Sequence, residues 1–204
     1  MRNISHLTPH YVVSRVREIA FHRSNPDLPW LAPQACYLLA DLLRPNDVVL
    51  EFGSGRSTIW FAECVKAITA IECSEEWAKT VSGQLKDRGF SNAQVHLVGD
   101  DDNYLSEVNS ICSEIDATVI LVDGIKRAQT ALWALDKANP GGLLILDDSH
   151  RYLPSQSRAP GAIKSVQDPG FQNSQWPEFH QRTAHMRKIR VSSGVSDTTI
   201  FLVS

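Results

Sequence analysis

The sequence has no long apolar run. Stretches such as Val119 to Val122 and Leu143 to Leu146 are far below the roughly eighteen consecutive apolar residues that cross a bilayer as a helix, which excludes a membrane-spanning helix. Cysteine is sparse: Cys36, Cys64, Cys73 and Cys112 stand far apart without metal-ligand spacing, so reduced, mostly buried thiols are expected. The opening Met-Arg-Asn-Ile-Ser-His-Leu-Thr-Pro-His has no apolar signal region, which predicts a cytoplasmic protein. Internal repeats and low-complexity segments are absent as well. Basic charge is scarce in the middle of the chain, where residues 47–150 hold eight Lys and Arg against seventeen Asp and Glu; residues 151–204 hold seven against three. That distribution argues against a nucleic-acid partner, while Arg151, Arg158 and Lys164 could face an anionic small molecule.

What is present is an alternation of short apolar runs with helical patterns. Thr8-Pro9 opens a helix through about Phe21, and Ala32-Pro33 opens a second ending near Leu43. Val48 to Phe52, Ala67 to Ile71, Gln94 to Val98, Thr118 to Val122 and Leu143 to Leu146 read as strands. Thr58 to Val65, Glu75 to Asp87 with Ser74 as cap, Asp102 to Ser113 and Ala128 to Ala138 read as the helices between them. Such alternation predicts right-handed crossovers and a parallel sheet covered on both faces. Residues 150–177 contain four prolines and read as a long loop with a short helix near Ala162, followed by a hairpin of Ala184 to Val191 and Thr198 to Val203. The length of 204 residues suits one compact domain: residues 1–46 as an N-terminal helical cap segment, 47–204 as the α/β body.

The first strand runs into Glu51-Phe-Gly-Ser-Gly-Arg-Ser-Thr58, a glycine turn that delivers a ligand to a helix N-terminus. Gly53 and Gly55 remove side chains where backbone must approach the ligand. The third glycine of the dinucleotide fingerprint is replaced by Thr58, which disfavours an NAD-dependent oxidoreductase. Acidic residues follow every parallel strand: Glu51, Glu72, Asp100, Asp123, and Asp147 with Asp148. One such acid is an ordinary helix cap. Five strand ends in a row point to a polar site that favours a cationic ligand and repels phosphates.

With these motifs the chain resembles the class I S-adenosylmethionine-dependent methyltransferases over roughly residues 30–204. Glu-Phe-Gly-Ser-Gly-Arg-Ser-Thr is similar to the family's first motif, Ala-Ile-Glu-Cys-Ser to its second-strand motif, and Asn-Pro-Gly-Gly-Leu-Leu-Ile-Leu-Asp-Asp to its fifth-strand motif. The resemblance implies a Rossmann-like, doubly wound, mostly parallel seven-stranded sheet with a C-terminal antiparallel hairpin and helices on both faces. It implies a donor site of Glu51, Gly53, Ser54, Gly55, Ser57, Thr58, Glu72, Cys73, Asp100 and Asp123. In that site Glu72 would meet the ribose hydroxyls and Asp100 would lie near the adenine. Val122-Asp123-Gly124-Ile125-Lys126 and Asp147-Asp148 also resemble the motif layout of catechol- and caffeoyl-coenzyme A-type O-methyltransferases. That likeness implies Mg²⁺ on Asp123, Asp147 and Asp148, with Lys126 or His150 as base beside Asp123. Three converging carboxylates would favour a hard cation, but the family usually has Asp-Asn where this chain has Asp147-Asp148.

The expected activity is therefore O-methylation of a small, in one reading anionic, acceptor, with neither membrane nor nucleic acid as partner and a homodimer as one assembly. The competing readings are a metal-independent N-methyltransferase, an aminopropyl transferase on the same scaffold, and a noncatalytic cofactor-binding subunit. Trp30 and Trp176, each in a proline-bearing loop, are candidate acceptor contacts, whereas His6, His10, His22, His96, His180 and His185 have no ligand spacing.

Overall fold

The computed structural model describes residues 8–204; His6 and the first seven positions of the expected cap segment lie outside the described residues. Helix α1 (Pro9–Ser24) begins where the Thr8 hydroxyl accepts a hydrogen bond from the Tyr11 N–H at 3.2 Å, with Pro9 in the first turn. Helix α2 (Pro33–Leu42) buries Ala35, Cys36 and Leu39. There follow β1 (Val48–Phe52), α3 (Arg56–Cys64), β2 (Ala67–Glu72), α4 (Glu75–Asp87), β3 (Ala93–Leu97), α5 (Tyr104–Cys112), β4 (Val119–Val122), α6 (Arg127–Lys137) and β5 (Leu143–Leu146). A 3₁₀ turn at Ser149–Arg151, α7 (Pro169–Gln172), α8 (Trp176–Arg182), β6 (Arg187–Ser192) and β7 (Asp197–Leu202) complete the chain.

The strands form one sheet in the order β3-β2-β1-β4-β5-β7-β6. Strands β1 to β5 are parallel, while β7 runs antiparallel to both β5 and β6. Side chains alternate between two cores. Leu50, Phe52, Ile120, Val122, Leu144 and Leu146 pack beneath α5, α6 and α8, while Val49, Val119, Leu121 and Ile145 pack beneath α2, α3 and α4. The same period of two carries Glu51, Asp123 and Asp147 toward the second face, one step beyond the last apolar residue of that phase.

The C-terminal region departs from expectation. No helix forms near Ala162, because Pro160-Gly161 turns there with Gly161 at φ +74°, and Ile163 donates its N–H to His150 O at 2.8 Å. The helix falls instead at Trp176–Arg182, where Trp176 and Phe179 are buried against the core. Seven residues are too few to display a helical period in the sequence. The first hairpin strand begins at Arg187, three residues later than expected, since Thr183 still bonds back to Phe179 and occupies the helix end.

Candidate active site

Strand β1 leads through α3 to β2 on one side of the sheet, and β4 leads through α6 to β5 on the other. The carboxyl ends of β1 and β4 therefore open into a crevice, the position where open α/β sheets hold ligands. A cavity of about 360 Å³ fills it, lined by residues of the glycine turn together with Glu51, Ile71, Glu72, Cys73, Tyr104, Asp123, Gly124, Ile125 and Arg127. Its floor is backbone against backbone. Gly53 has φ +95°, and a Cβ on Gly124 would stand 2.9 Å from the Gly53 nitrogen and 3.0 Å from the Phe52 carbonyl carbon.

Two buried or half-buried carboxylates hold the turn. Glu51 accepts hydrogen bonds from the Ser57 hydroxyl and, at 2.6 Å, from the Thr58 hydroxyl. Burial outweighs those bonds and raises its pKa to about 8. Glu72 accepts the Ser54 N–H at 3.0 Å and the Ser54 hydroxyl at 2.7 Å on one oxygen. Its other oxygen accepts the Cys73 N–H at 2.8 Å and the Ser74 N–H at 2.9 Å. All four lone-pair positions of that carboxylate are thus engaged. Trp77 closes the turn from outside, its indole N–H donating to Ser54 O.

A second cavity of about 410 Å³ lies beyond β4 and β5, lined by Arg15, Glu18, Trp30, Asp123, Asp147, Asp148, Arg151, Val195 and Ser196. Asp123 belongs to both cavities. Desolvation raises its pKa to about 6, against the pull of Arg127. Asp147 is buried, accepts the Thr198 hydroxyl at 2.6 Å, and is held well above the usual carboxylate range, first by burial and then by Asp123. Helix α1 closes the cavity through Glu18, which pairs with Arg15 at 2.7 Å and accepts the Ser193 hydroxyl at 2.9 Å. Trp30 is exposed on its rim, stacked on His22 with ring centroids 4.4 Å apart.

The remaining site candidates lie elsewhere. Lys126 has φ +48° and turns outward, donating to Asp101 O and pairing with Asp100 at 3.4 Å; neither Lys126 nor Asp100 lines the two cavities. His150 is fully buried and accepts the Asp197 N–H at 3.2 Å, and burial lowers its pKa. Gly55 and Thr58 support the turn from behind: the Thr58 hydroxyl accepts the Gly55 N–H at 2.9 Å. Trp176 is buried, stacked on Tyr152 at 4.7 Å, and Lys164 donates to Ser157 O.

One residue at the centre of this edge carries no expectation from the sequence. Arg127, at the start of α6, donates to Gly124 O at 3.0 Å, to Asp147 O at 3.0 Å, and to both the carbonyl and the carboxylate of Asp123 at 2.6 and 2.5 Å. Asp148 is 3.8 Å from the same guanidinium. The spacing of four from Asp123 to Arg127 gives no helical signal for this pair, because α6 begins only at Arg127 and Lys126 is left-handed.

The expected Mg²⁺ site does not fit this arrangement. A guanidinium faces the Asp123 and Asp148 carboxylates, Asp147 accepts the Thr198 hydroxyl, and among the described residues no three His, Cys, Asp or Glu side chains are grouped to hold a metal ion. Nor is any helix of the described residues long and apolar enough to cross a membrane.

Residues 50–149, from the first strand to the end of the fifth, match the family model of a methyltransferase domain. Among curated proteins none matches the sequence. An O-methyltransferase from Bacillus cereus solved in complex with SAH superposes with a TM-score of 0.62 at 19% identity, covering 96% of this chain and 91% of that one. A methyltransferase from Geobacter sulfurreducens gives 0.58 at 16%, covering 94% and 90%. An rRNA methylase from Streptococcus thermophilus gives 0.53 at 15%, covering 82% and 92%. At these identities the superpositions speak for the fold, a Rossmann-like methyltransferase fold. Residues 50–149 are thus similar to a methyltransferase domain, carried on a fold that these methyltransferases share.

Proposed function

We propose that the protein methylates an oxygen of a small acceptor carrying an anionic group, without a divalent metal. The observation that carries this reading is the meeting of the two cavities at Asp123. S-adenosylmethionine fits the first cavity: the Gly53 and Gly124 backbones leave room for close approach, and Glu51 and Asp123 offer acceptors to its ammonium. Glu72 would take the ribose diol after the Ser54 hydroxyl gives up its place on the carboxylate, with Ile71, Tyr104 and Ile125 against the adenine. When bound, the sulfonium supplies an electrophilic methyl group.

The chain's own residues supply the rest. The second cavity orients the acceptor between Trp30, the α1 side chains and the hairpin turn, and Arg15 and Arg151 suit a carboxylate or phosphate on it. Asp123, with a pKa near 6, is ionised at neutral pH yet basic enough to take the hydroxyl proton as the oxygen–carbon bond forms and the methyl–sulfur bond breaks, leaving the neutral thioether S-adenosylhomocysteine. Holding two reactants in line contributes about 7–11 kcal/mol in favourable cases. The buried His150 and the outward-turned Lys126 leave Asp123 as the base.

Isothermal titration with S-adenosylhomocysteine tests the donor site, and an acceptor screen with labelled S-adenosylmethionine tests the transfer. Stoichiometric binding with label passing to hydroxylated acids or phosphates is expected. Binding without transfer to any hydroxyl acceptor would point to a noncatalytic subunit or another acceptor atom.

A further inference from the structure

We propose that Arg127 is the built-in cation of the transfer site, a positioning residue that balances the strand-end carboxylates and fixes Asp123 between donor and acceptor. The inference deepens the reading above and rests on it.

Asp123, Asp147 and Asp148 converge from two adjacent strand ends, and such a group is held together only by a cation or by protons. This chain supplies the cation. Asp147 is buried and bonded to Thr198, with its pKa raised well above the usual carboxylate range by burial and by Asp123, and the carboxylates that face the cation are Asp123 and Asp148. The guanidinium faces both: 2.5 Å from one and 3.8 Å from the other. Arg151 stands at a similar 3.7 Å from Asp148, from the solvent side.

The remaining donors of Arg127 explain why the residue is arginine. Its Nε and one terminal nitrogen reach the carbonyls of Gly124 and Asp123 at the end of β4, and the other terminal nitrogen reaches the carbonyl of Asp147 at the end of β5. A planar fork of five N–H donors can brace two strand ends and grip a carboxylate at once, whereas an ammonium has three donors on a single point. The Tyr152 ring lies 5.6 Å from the guanidinium, close enough for a cation–π contact, and Tyr152 is itself stacked on the buried Trp176. The residue is mostly enclosed yet still lines the donor cavity, so its charge acts at the reacting edge.

A test needs no knowledge of the acceptor. Mn²⁺ titration followed by electron paramagnetic resonance, on protein loaded with S-adenosylhomocysteine, should show no stoichiometric site in the wild type or in Arg127→Lys. Arg127→Gln should gain one, because the Asp123 and Asp148 carboxylates then lack their cation, and an added Asp123→Asn should abolish it. Heat denaturation and S-adenosylhomocysteine binding verify that each variant is folded. A stoichiometric Mn²⁺ site in the wild type that Asp123→Asn removes would overturn the proposal, as would a folded Arg127→Gln that remains blind to Mn²⁺. If Arg127→Gln does not fold, the wild-type titration decides alone. Failure to bind S-adenosylhomocysteine at all would instead strike the donor reading, and the Mn²⁺ arm could still be run on the free protein.

Discussion

The two cavities at the carboxyl edge are built by different means. The donor cavity takes most of its wall from residues 51–57 and 71–73, where backbone and nearby side chains close on one another. The acceptor cavity draws Arg15 and Glu18 from α1, Trp30 from the following link, Asp123 and Asp147 from two strand ends, and Val195 and Ser196 from the hairpin turn. The donor site is thus built mostly from the ends of two neighbouring strands and the turns that follow them, with the β4 end closing its floor, whereas the acceptor site is assembled from segments far apart in the chain. Substitutions on the first side should therefore strike donor binding, and on the second only transfer.

The sharpest way to break the donor side is Gly124→Val. Its Cβ would press within 3.0 Å of the β1 backbone, so a stability loss of about 1–3 kcal/mol or more is expected from overpacking, seen as a lower denaturation midpoint with loss of S-adenosylhomocysteine binding. Asp123→Asn, at the junction, should lower transfer about 100- to 10,000-fold, the range of a lost general base. Donor affinity measured by titration should fall about 10- to 100-fold as well, since the same carboxylate faces the donor's ammonium and a hydrogen bond to a charged group is worth about 1.5–3 kcal/mol.

Glu72→Ala removes the acceptor of four hydrogen bonds and should weaken donor binding about 10- to 100-fold, since each bond to a charged group is worth about 1.5–3 kcal/mol. Ser54→Ala should leave affinity equal or tighter, because the serine hydroxyl occupies the carboxylate oxygen that a ribose would use. A tenfold loss in Ser54→Ala would show that Glu72 holds the loop and does not meet the ligand.

The pH dependence is subtler. Glu51 has a folded pKa near 8 against an ordinary 4.5, so its protonated form favours folding: the contribution is full below 4.5 and is lost as pH rises through about 8. Asp123 and Asp147 act with the same sign. The denaturation midpoint of the ligand-free protein should fall over that window, and Glu51→Gln should flatten part of the fall. Smallest of all, Trp30→Ala should raise the acceptor KM with no change in donor affinity, since Trp30 lines only the second cavity and is half exposed.

Much of this was legible because some residues constrain structure through their neighbours in sequence. Ser74 capping α4 through the Trp77 N–H and the apolar runs of β4 and β5 depend on local chemistry and on burial of both sheet faces. The miss at α8 and the absent helix near Ala162 have the opposite cause. Their stability comes from Trp176 and Phe179 entering a core made by distant strands, and from Ile163 bonding to His150. Lys126 and Arg127 show the limit most plainly. They are adjacent cations at a helix start, and only a left-handed backbone at Lys126 sends one outward to Asp100 and the other inward to Asp123.

By itself the sequence determined the sheet, the glycine turn and the acid at each parallel strand end, since strand period, turn chemistry and burial act over a few residues. The tertiary structure decided which acids share a cavity, which have their pKa raised by burial and which cation faces them. Those outcomes depend on desolvation and on distances of a few ångströms between elements far apart in the chain.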